Sequence, residues 1–342
     1  MPIVVFRADA SPEIGGGHIM RCLALANILR DKGAEIWFAC RTQTFDTLPI
    51  LKNSKYNLME LPEHSSGHRE LKDALPQVEW LIVDHYGLDA NWITPLRGWA
   101  QHVMVIDDLA DRSLDCDLLL DQTLGREDGD YRPLTPETCT YLLGPEFALL
   151  RPEFAALRSQ CLTRRRTPTK QGPTKVLVAL GATDPKNVTM TVLETLNSIS
   201  TDIEITIVLG SGAPHLSAIR DTSISHRHPT SVLVDASDMA TLMAHADIAI
   251  GASGTSSWER CCVGLPTIAI ELADNQHEIS RTLSEAGAIT FLGRYETLHP
   301  DLLNQAVMNL ISTPRHMEHM SMMAAEVCDG LGATRVAERI LS

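Results

Sequence analysis

The chain has 342 residues, and 29 lysines and arginines against 43 aspartates and glutamates give a formal net charge of −14. With 44% hydrophobic and 21% charged residues, it is too apolar to be disordered and long enough for two domains of ordinary size. The acidic balance argues against sequence-independent binding of nucleic acid or anionic lipid, which needs excess basic charge. It leaves room for a small anion held by helix N-termini and local arginines.

The first half alternates short apolar runs with helical patterns. Pro2–Phe6 reads as a strand, followed by a glycine-rich loop and a helix over Ile19–Lys32 that Gly33 ends. Glu35–Cys40, Trp80–Val83 and Val103–Ile106 read as further buried strands. The last two run into carboxylates, Asp84 and the pair Asp107 and Asp108. Such runs, too continuous for half-exposed strands and separated by helices, indicate a parallel α/β sheet.

Residues 158–174 are polar and basic, with prolines and a glycine, and read as a linker. Arg164–Arg166 within it reads as a solvated charge run. The alternating pattern then restarts. Strands are expected over Lys175–Leu180, Ile203–Leu209, Ile248–Ile250 and Thr267–Ile270. Helices are expected after Asn187, which is positioned as a cap, over Asp238–His245, Ser257–Val263 and Asn275–Ala286, and in two C-terminal stretches. The organisation expected is an N-terminal Rossmann-like domain over 1–157, the linker 158–174, and a C-terminal Rossmann-like domain over 175–323. The two domains would face a central cleft, with ligand at the carboxyl ends of the strands.

The eight cysteines are scattered through a large chain with no CxxC pair, so they read as buried small hydrophobes in a reducing compartment. The N-terminus lacks the features of a signal peptide, and no run reaches ~18 apolar residues. A soluble cytoplasmic protein without a membrane span is expected. His64 and His68 lack the glutamate of a zinc motif, and no metal is expected.

Two segments carry the chemistry. Gly15, Gly16 and Gly17 lie between a strand and a helix, where the backbone approaches a ligand closely and unpaired N–H groups face an anion. The spacing is not that of a nicotinamide site. His18, at the start of that helix, is either a general base or a capping and packed histidine. The second segment, Ile250–Glu259, delivers Gly254, Thr255, Ser256 and Ser257 as a loop offering N–H and hydroxyl groups to a diphosphate. Glu259, just inside the helix, is placed to take ribose hydroxyls or to sit solvated. Asn275 and Gln276, and Gly181 with Asp184, follow neighbouring strands and are candidates for the same rim. Asp84, His85, Tyr86, Asp107 and Asp108 are candidates for orienting a base or binding sugar hydroxyls, and equally for turns and caps.

Taken together, the blocks FRADASPEIGGGHIMRCLALA, DHYGLD, IDDLADR, LLGPEFALLRPEF, LGATDP and GASGTSSWERCCVGLP followed by DNQ resemble the UDP-sugar hydrolases of pseudaminic acid biosynthesis. They run in order from residue 6 to residue 276. The GASGTSSWE block is shared with MurG-like glycosyltransferases of the GT-B fold. Ala182 and Ser253 stand where the hydrolases usually carry glycine.

The resemblance implies a GT-B architecture and a UDP site mainly in the second domain. It also implies a final helix, about 324–342, that packs back on the first domain. His18 would be the base that activates water, Glu259 the ribose ligand, and Arg151 a substrate contact, with neither metal nor cofactor. The implied substrate is UDP-2,4-diacetamido-2,4,6-trideoxy-β-L-altrose, cleaved with inversion at C1. The alternative is a GT-B glycosyltransferase that passes the sugar of a UDP donor to an acceptor.

Overall fold

Short apolar runs separated by helices become parallel strands in the computed structural model, which describes residues 1–11, 15–166 and 172–342. Residues 12–14 of the glycine-rich segment and 167–171 of the expected linker lie outside the described residues. The chain divides into two units, Met1–Arg151 with Leu331–Ser342, and Pro152–Gly330.

In the first unit the described residues form strands β1 (Ile3–Ala8), β2 (Glu35–Arg41), β3 (Asn57–Leu61), β4 (Val78–Asp84), β5 (Ala100–Ile106), β6 (Leu118–Asp121) and β7 (Thr140–Leu143). The sheet order is β3-β2-β1-β4-β5-β6-β7, with all pairs parallel. Central strands of such a sheet are covered on both faces, which is why Val4, Val5, Phe6, Leu81, Ile82 and Val83 are fully buried. The order reverses between β1 and β4, whose ends lie side by side with Ala8 opposite Asp84. A ligand site in a doubly wound sheet forms outside the strand ends at that reversal. The following helix α1 (Gly17–Asp31) turns Ile19, Cys22, Leu23, Ala26 and Leu29 onto the sheet beside Phe6 and Phe38.

The last helix, Gly332–Leu341, belongs to this first unit and buries Ala333, Val336, Ala337 and Ile340 in the same core. The 324–342 stretch is not one helix. Pro314–Val327 ends in the second unit, and Gly330, at φ +84°, breaks the chain before the final helix starts. Gly332 lies so close to Phe147 and Ala148 that an added Cβ would stand 2.4 Å from their backbone atoms. Backbone cannot swing aside as a flexible side chain can. Gly332→Ala is therefore expected to destabilise the first unit by ~1–3 kcal/mol or more, seen as a lowered midpoint in thermal unfolding. An unchanged midpoint would mean that the helix start is not held against Ala148.

The second unit repeats the plan with strands β8 (Thr174–Ala179), β9 (Ile203–Leu209), β10 (Thr230–Val234), β11 (Ile248–Ala252), β12 (Thr267–Glu271) and β13 (Thr290–Arg294). The order β10-β9-β8-β11-β12-β13 again reverses at its centre, where Ala179 of β8 lies opposite Gly251 of β11.

Residues 158–166 are not linker but the second half of the helix Pro152–Arg166, which opens the second unit. Arg164 and Arg166 are exposed, as expected of a solvated run, but the run is also bonded to the fold. Arg164 donates to the carbonyls of Ala244, His245 and Ala246, and Arg165 to those of Met243, Ala246 and Val263. These groups satisfy carbonyls at the C-terminal ends of two helices, Met239–His245 and Ser256–Cys262. Arg158 likewise donates to the carbonyls of Cys262, Ala325 and Cys328. Among the described residues no helix is long and apolar enough to cross a membrane. All eight cysteines are buried and free of disulfides.

Candidate functional site

The reversal in the first sheet brings His18 to Asp84. His18 is the second residue of α1, and its Nδ1 lies 2.6 Å from Oδ1 of Asp84 at the end of β4. Arg21, one turn along α1, grips the same carboxylate in a fork: Nε donates to Oδ2 and Nη2 to Oδ1, each at 2.6 Å. Arg21 also reaches Asp108 at 3.3 Å. All three partners of the central cluster are buried, with His18 7%, Arg21 5% and Asp84 1% exposed.

Burial alone would raise the Asp84 carboxyl, but the charges of Arg21 and His18 and their hydrogen bonds outweigh it and hold it well below the carboxylate range. Burial would likewise lower Arg21, and the Asp84 charge reverses that. A carboxylate so held stays ionised and accepts. Nδ1 of His18 is then the donor, so in the neutral ring the lone pair falls to Nε2. Asp84 fixes the orientation of the imidazole, and Arg21 holds Asp84 in its ionised form. The edge of the Tyr86 ring meets His18 at a centroid distance of 4.8 Å and 89°.

The loop after β1 is built on Asp9. Its carboxylate accepts from Nη2 of Arg7 at 2.7 Å and from the Arg41 amide at 2.8 Å, and pairs with His85 at 3.4 Å. Gly15 takes φ +77° as its amide closes onto Ser11, a conformation that a side chain disfavours. Gly16 is the N-cap of α1 and supplies no side-chain cap; no acidic residue lies in the first turn. The amides of the first turn are thus capped by no side chain of Gly16 and face no acidic residue of that turn.

Asp107 turns away from this cluster. It accepts from the amides of Leu109 and Ala110, from the Tyr131 hydroxyl, and pairs with Arg112. It is a turn and core residue, whereas its neighbour Asp108 joins Arg21. Arg151 is half-buried at the last position of the first unit's main run.

In the second unit the reversal places the loop after β8 beside the loop after β11. Gly181 takes φ +98°. Asp184 then accepts from the amides of Val188 and Thr189, at 3.0 and 2.8 Å. The cap expected at Asn187 is therefore made by Asp184, because Asn187 sits in the left-handed region with no side-chain cap bond. After β11, Gly254 and Thr255 lead into the short helix Ser256–Cys262. Ser256 and Glu259 are half-buried, and Ser257 is buried. Gly254 opens on space: an added Cβ would meet only Nε2 of Gln276, at 3.9 Å. Gln276 is pinned by its Oε1, which accepts from the Leu272 amide, and closes the tight turn Asp274–Gln276 that also holds Asn275. The structure thus brings Gln276 to Gly254.

Two residues escaped the sequence reading. Arg21 carried a readable signal, three residues after His18 on a helix and so on the same face. Arg260, buried beneath the 251–257 loop, carried none. Among the described residues no group of three or more His, Cys, Asp or Glu is placed to hold a metal ion.

Two doubly wound parallel sheets, each with its open loops at the order reversal, make this a GT-B fold. The chain superposes on the crystal structure of Acinetobacter baumannii MurG with a TM-score of 0.72 at 15% identity, over 99% of each chain. Residues 157–339 match the glycosyltransferase family 28 C-terminal domain, just over half of the chain, and the protein belongs to that family. It is 25% identical to the spore coat polysaccharide biosynthesis protein SpsG of Bacillus subtilis, over 96% of this chain and 95% of that one. It is 26% identical to the UDP-2,4-diacetamido-2,4,6-trideoxy-beta-L-altropyranose hydrolase of Campylobacter jejuni, over 83% of this chain and 97% of that one. An uncharacterised protein of Methanocaldococcus jannaschii is 26% identical over 79% of this chain, which spans 56% of that longer protein.

Proposed function

We propose that this protein is a metal-independent hydrolase of a UDP-sugar, UDP-2,4-diacetamido-2,4,6-trideoxy-β-L-altrose, releasing the free sugar for pseudaminic acid synthesis. The observation that carries the reading is the His18–Asp84–Arg21 arrangement, which presents an imidazole with one nitrogen occupied and the other basic. The Campylobacter relative's name supports the substrate.

The chemistry balances with these groups. Nε2 of His18 takes a proton from water as its oxygen attacks C1. The C1–O bond to the diphosphate breaks with its electron pair, and UDP leaves. Attack opposite the leaving group inverts C1. The diphosphate is already a good leaving group, so the protein supplies a fixed water, a base and positive potential. In the second unit the amides and hydroxyls of Gly254–Ser257 offer that potential, with Gly181, Asn275 and Gln276 at the strand ends of the same sheet; in the first unit the amides of Gly15–Gly17 are the corresponding candidates. Glu259 takes the ribose hydroxyls, and Tyr86 and Arg151 contact the sugar-nucleotide. Glu259→Ala is expected to weaken UDP binding by ~10–100-fold, the range for hydrogen bonds to a charged group. Unchanged affinity by calorimetry removes the ribose role.

A second reading is favoured by the family itself: a glycosyltransferase that uses the same donor. Incubation with the UDP-sugar in the absence of any acceptor separates the two. UDP release with an inverted anomer appearing first in proton NMR is the hydrolase outcome. No release until an acceptor is added sinks hydrolysis as the reaction.

A further inference from the structure

Arg260 is fully enclosed, 2% exposed, under the loop that joins β11 to the helix Ser256–Cys262. It makes no ion pair among the described residues. Its Nη2 donates to the Ala252 carbonyl at 2.6 Å and to Ser257 Oγ at 3.0 Å, and its Nη1 to Ser256 Oγ at 2.9 Å. Its Nε has no partner, and neither does the buried Oγ of Ser253 beside it in the loop. The end of β11 is packed onto this guanidinium: a Cβ at Gly251 would stand 2.7 Å from Nη1. Burial pushes the group down to about 10, and the nearby Cys261 and Glu259 only partly oppose it.

A buried positive charge without a counter-charge is costly, and folded proteins normally pair it. Here its donors go to neutral oxygens of the loop. A hydroxyl oxygen that accepts from a guanidinium keeps its own O–H to give away. The half-buried Ser256 hydroxyl is thereby left as a donor at the loop surface. Both effects favour a negative ligand above the loop.

We propose that Arg260 is a positioning residue that recognises the diphosphate of a nucleoside diphosphate without touching it. It sets the loop hydroxyls as donors and supplies the counter-charge from below. This rests on the nucleotide-sugar reading above and names the residue that gives its diphosphate loop a preference for charge.

The test is calorimetric binding of UDP and of uridine to the wild-type protein, Arg260→Gln and Arg260→Lys, at low and high salt. Arg260→Gln is expected to lose ~10–100-fold in UDP affinity, the range for charged hydrogen bonds, with uridine affinity unchanged and the salt dependence of UDP binding reduced. Arg260→Lys is expected to restore most of the preference for UDP over uridine. UDP binding within about twofold of wild type in Arg260→Gln overturns the proposal. So does an equal loss of UDP and uridine in both variants, the mark of a purely structural residue. If the glutamine variant does not fold, the lysine variant decides: loss of the UDP preference with the charge retained overturns the proposal. A wild-type protein that binds no UDP overturns the parent reading instead.

Discussion

His18→Leu is expected to lower kcat for UDP release on the order of 10²–10⁴-fold, the usual contribution of a positioned base, with UDP affinity kept. The geometry gives the reason. Nδ1 is committed to an ionised Asp84 at 2.6 Å, so in the neutral ring the second nitrogen is the one left to accept a proton. Leucine fills a similar volume in a site that is almost closed to solvent; it removes the proton acceptor together with the Nδ1 bond to Asp84, which keeps its fork from Arg21. Steady-state kinetics and calorimetry on the same preparation separate the two effects. Turnover equal to wild type takes His18 out of the mechanism. A parallel loss of UDP affinity makes it a binding residue.

Asp84 carries the second large effect, on stability as well as activity. Asp84→Ala leaves Arg21 buried with only Asp108 at 3.3 Å, and removing one partner of a buried pair typically costs ~3–5 kcal/mol. Asp84→Asn preserves shape but swaps a charged acceptor for an amide that no longer requires Nδ1–H. Activity is expected to fall nearly as far as in the His18 variant, with a smaller fall in Tm. Because the folded Asp84 carboxyl lies below its unfolded value of about 3.9, its stabilisation is complete above about pH 4. It is lost as the pH falls further, through the folded value. Denaturation midpoints measured from pH 7 to pH 3 are expected to fall less steeply in Asp84→Asn than in wild type. Parallel curves would show that Asp84 does not couple to folding.

The strands readable in the sequence are the central ones. β1, β2, β4, β5, β8, β11 and β12 appear as largely apolar runs, and β9 as an alternation of buried Ile203, Ile205, Ile207 and Leu209 with more exposed residues. β3, β7, β10 and β13 lie at the sheet edges, half-exposed along most of their length, and an edge strand needs no continuous apolar run. β6, only four residues long, was too short to stand out. The misread linker has a different cause. Composition reports that arginines are polar, but not that folded carbonyls await them. Arg158, Arg164 and Arg165 look solvated until the ends of the helices around them are in place.

Length and charge at the outset allowed two domains and spoke against a polyanionic partner. The order of strands and glycine-rich turns was local information, because strand period, turn chemistry and helix starts depend on neighbours in the chain. So was the candidacy of His18 and of the 251–257 loop. What only the tertiary structure decided was which of several similar carboxylates serves His18. Asp84, Asp107 and Asp108 all end strands, yet the reversal of strand order sets β4, not β5, against β1. Asp84 therefore meets the imidazole, Asp108 meets Arg21, and Asp107 closes a turn. The same long-range packing enclosed Arg260 without an ion-pair partner among the described residues, a property that depends on what surrounds a residue in the fold.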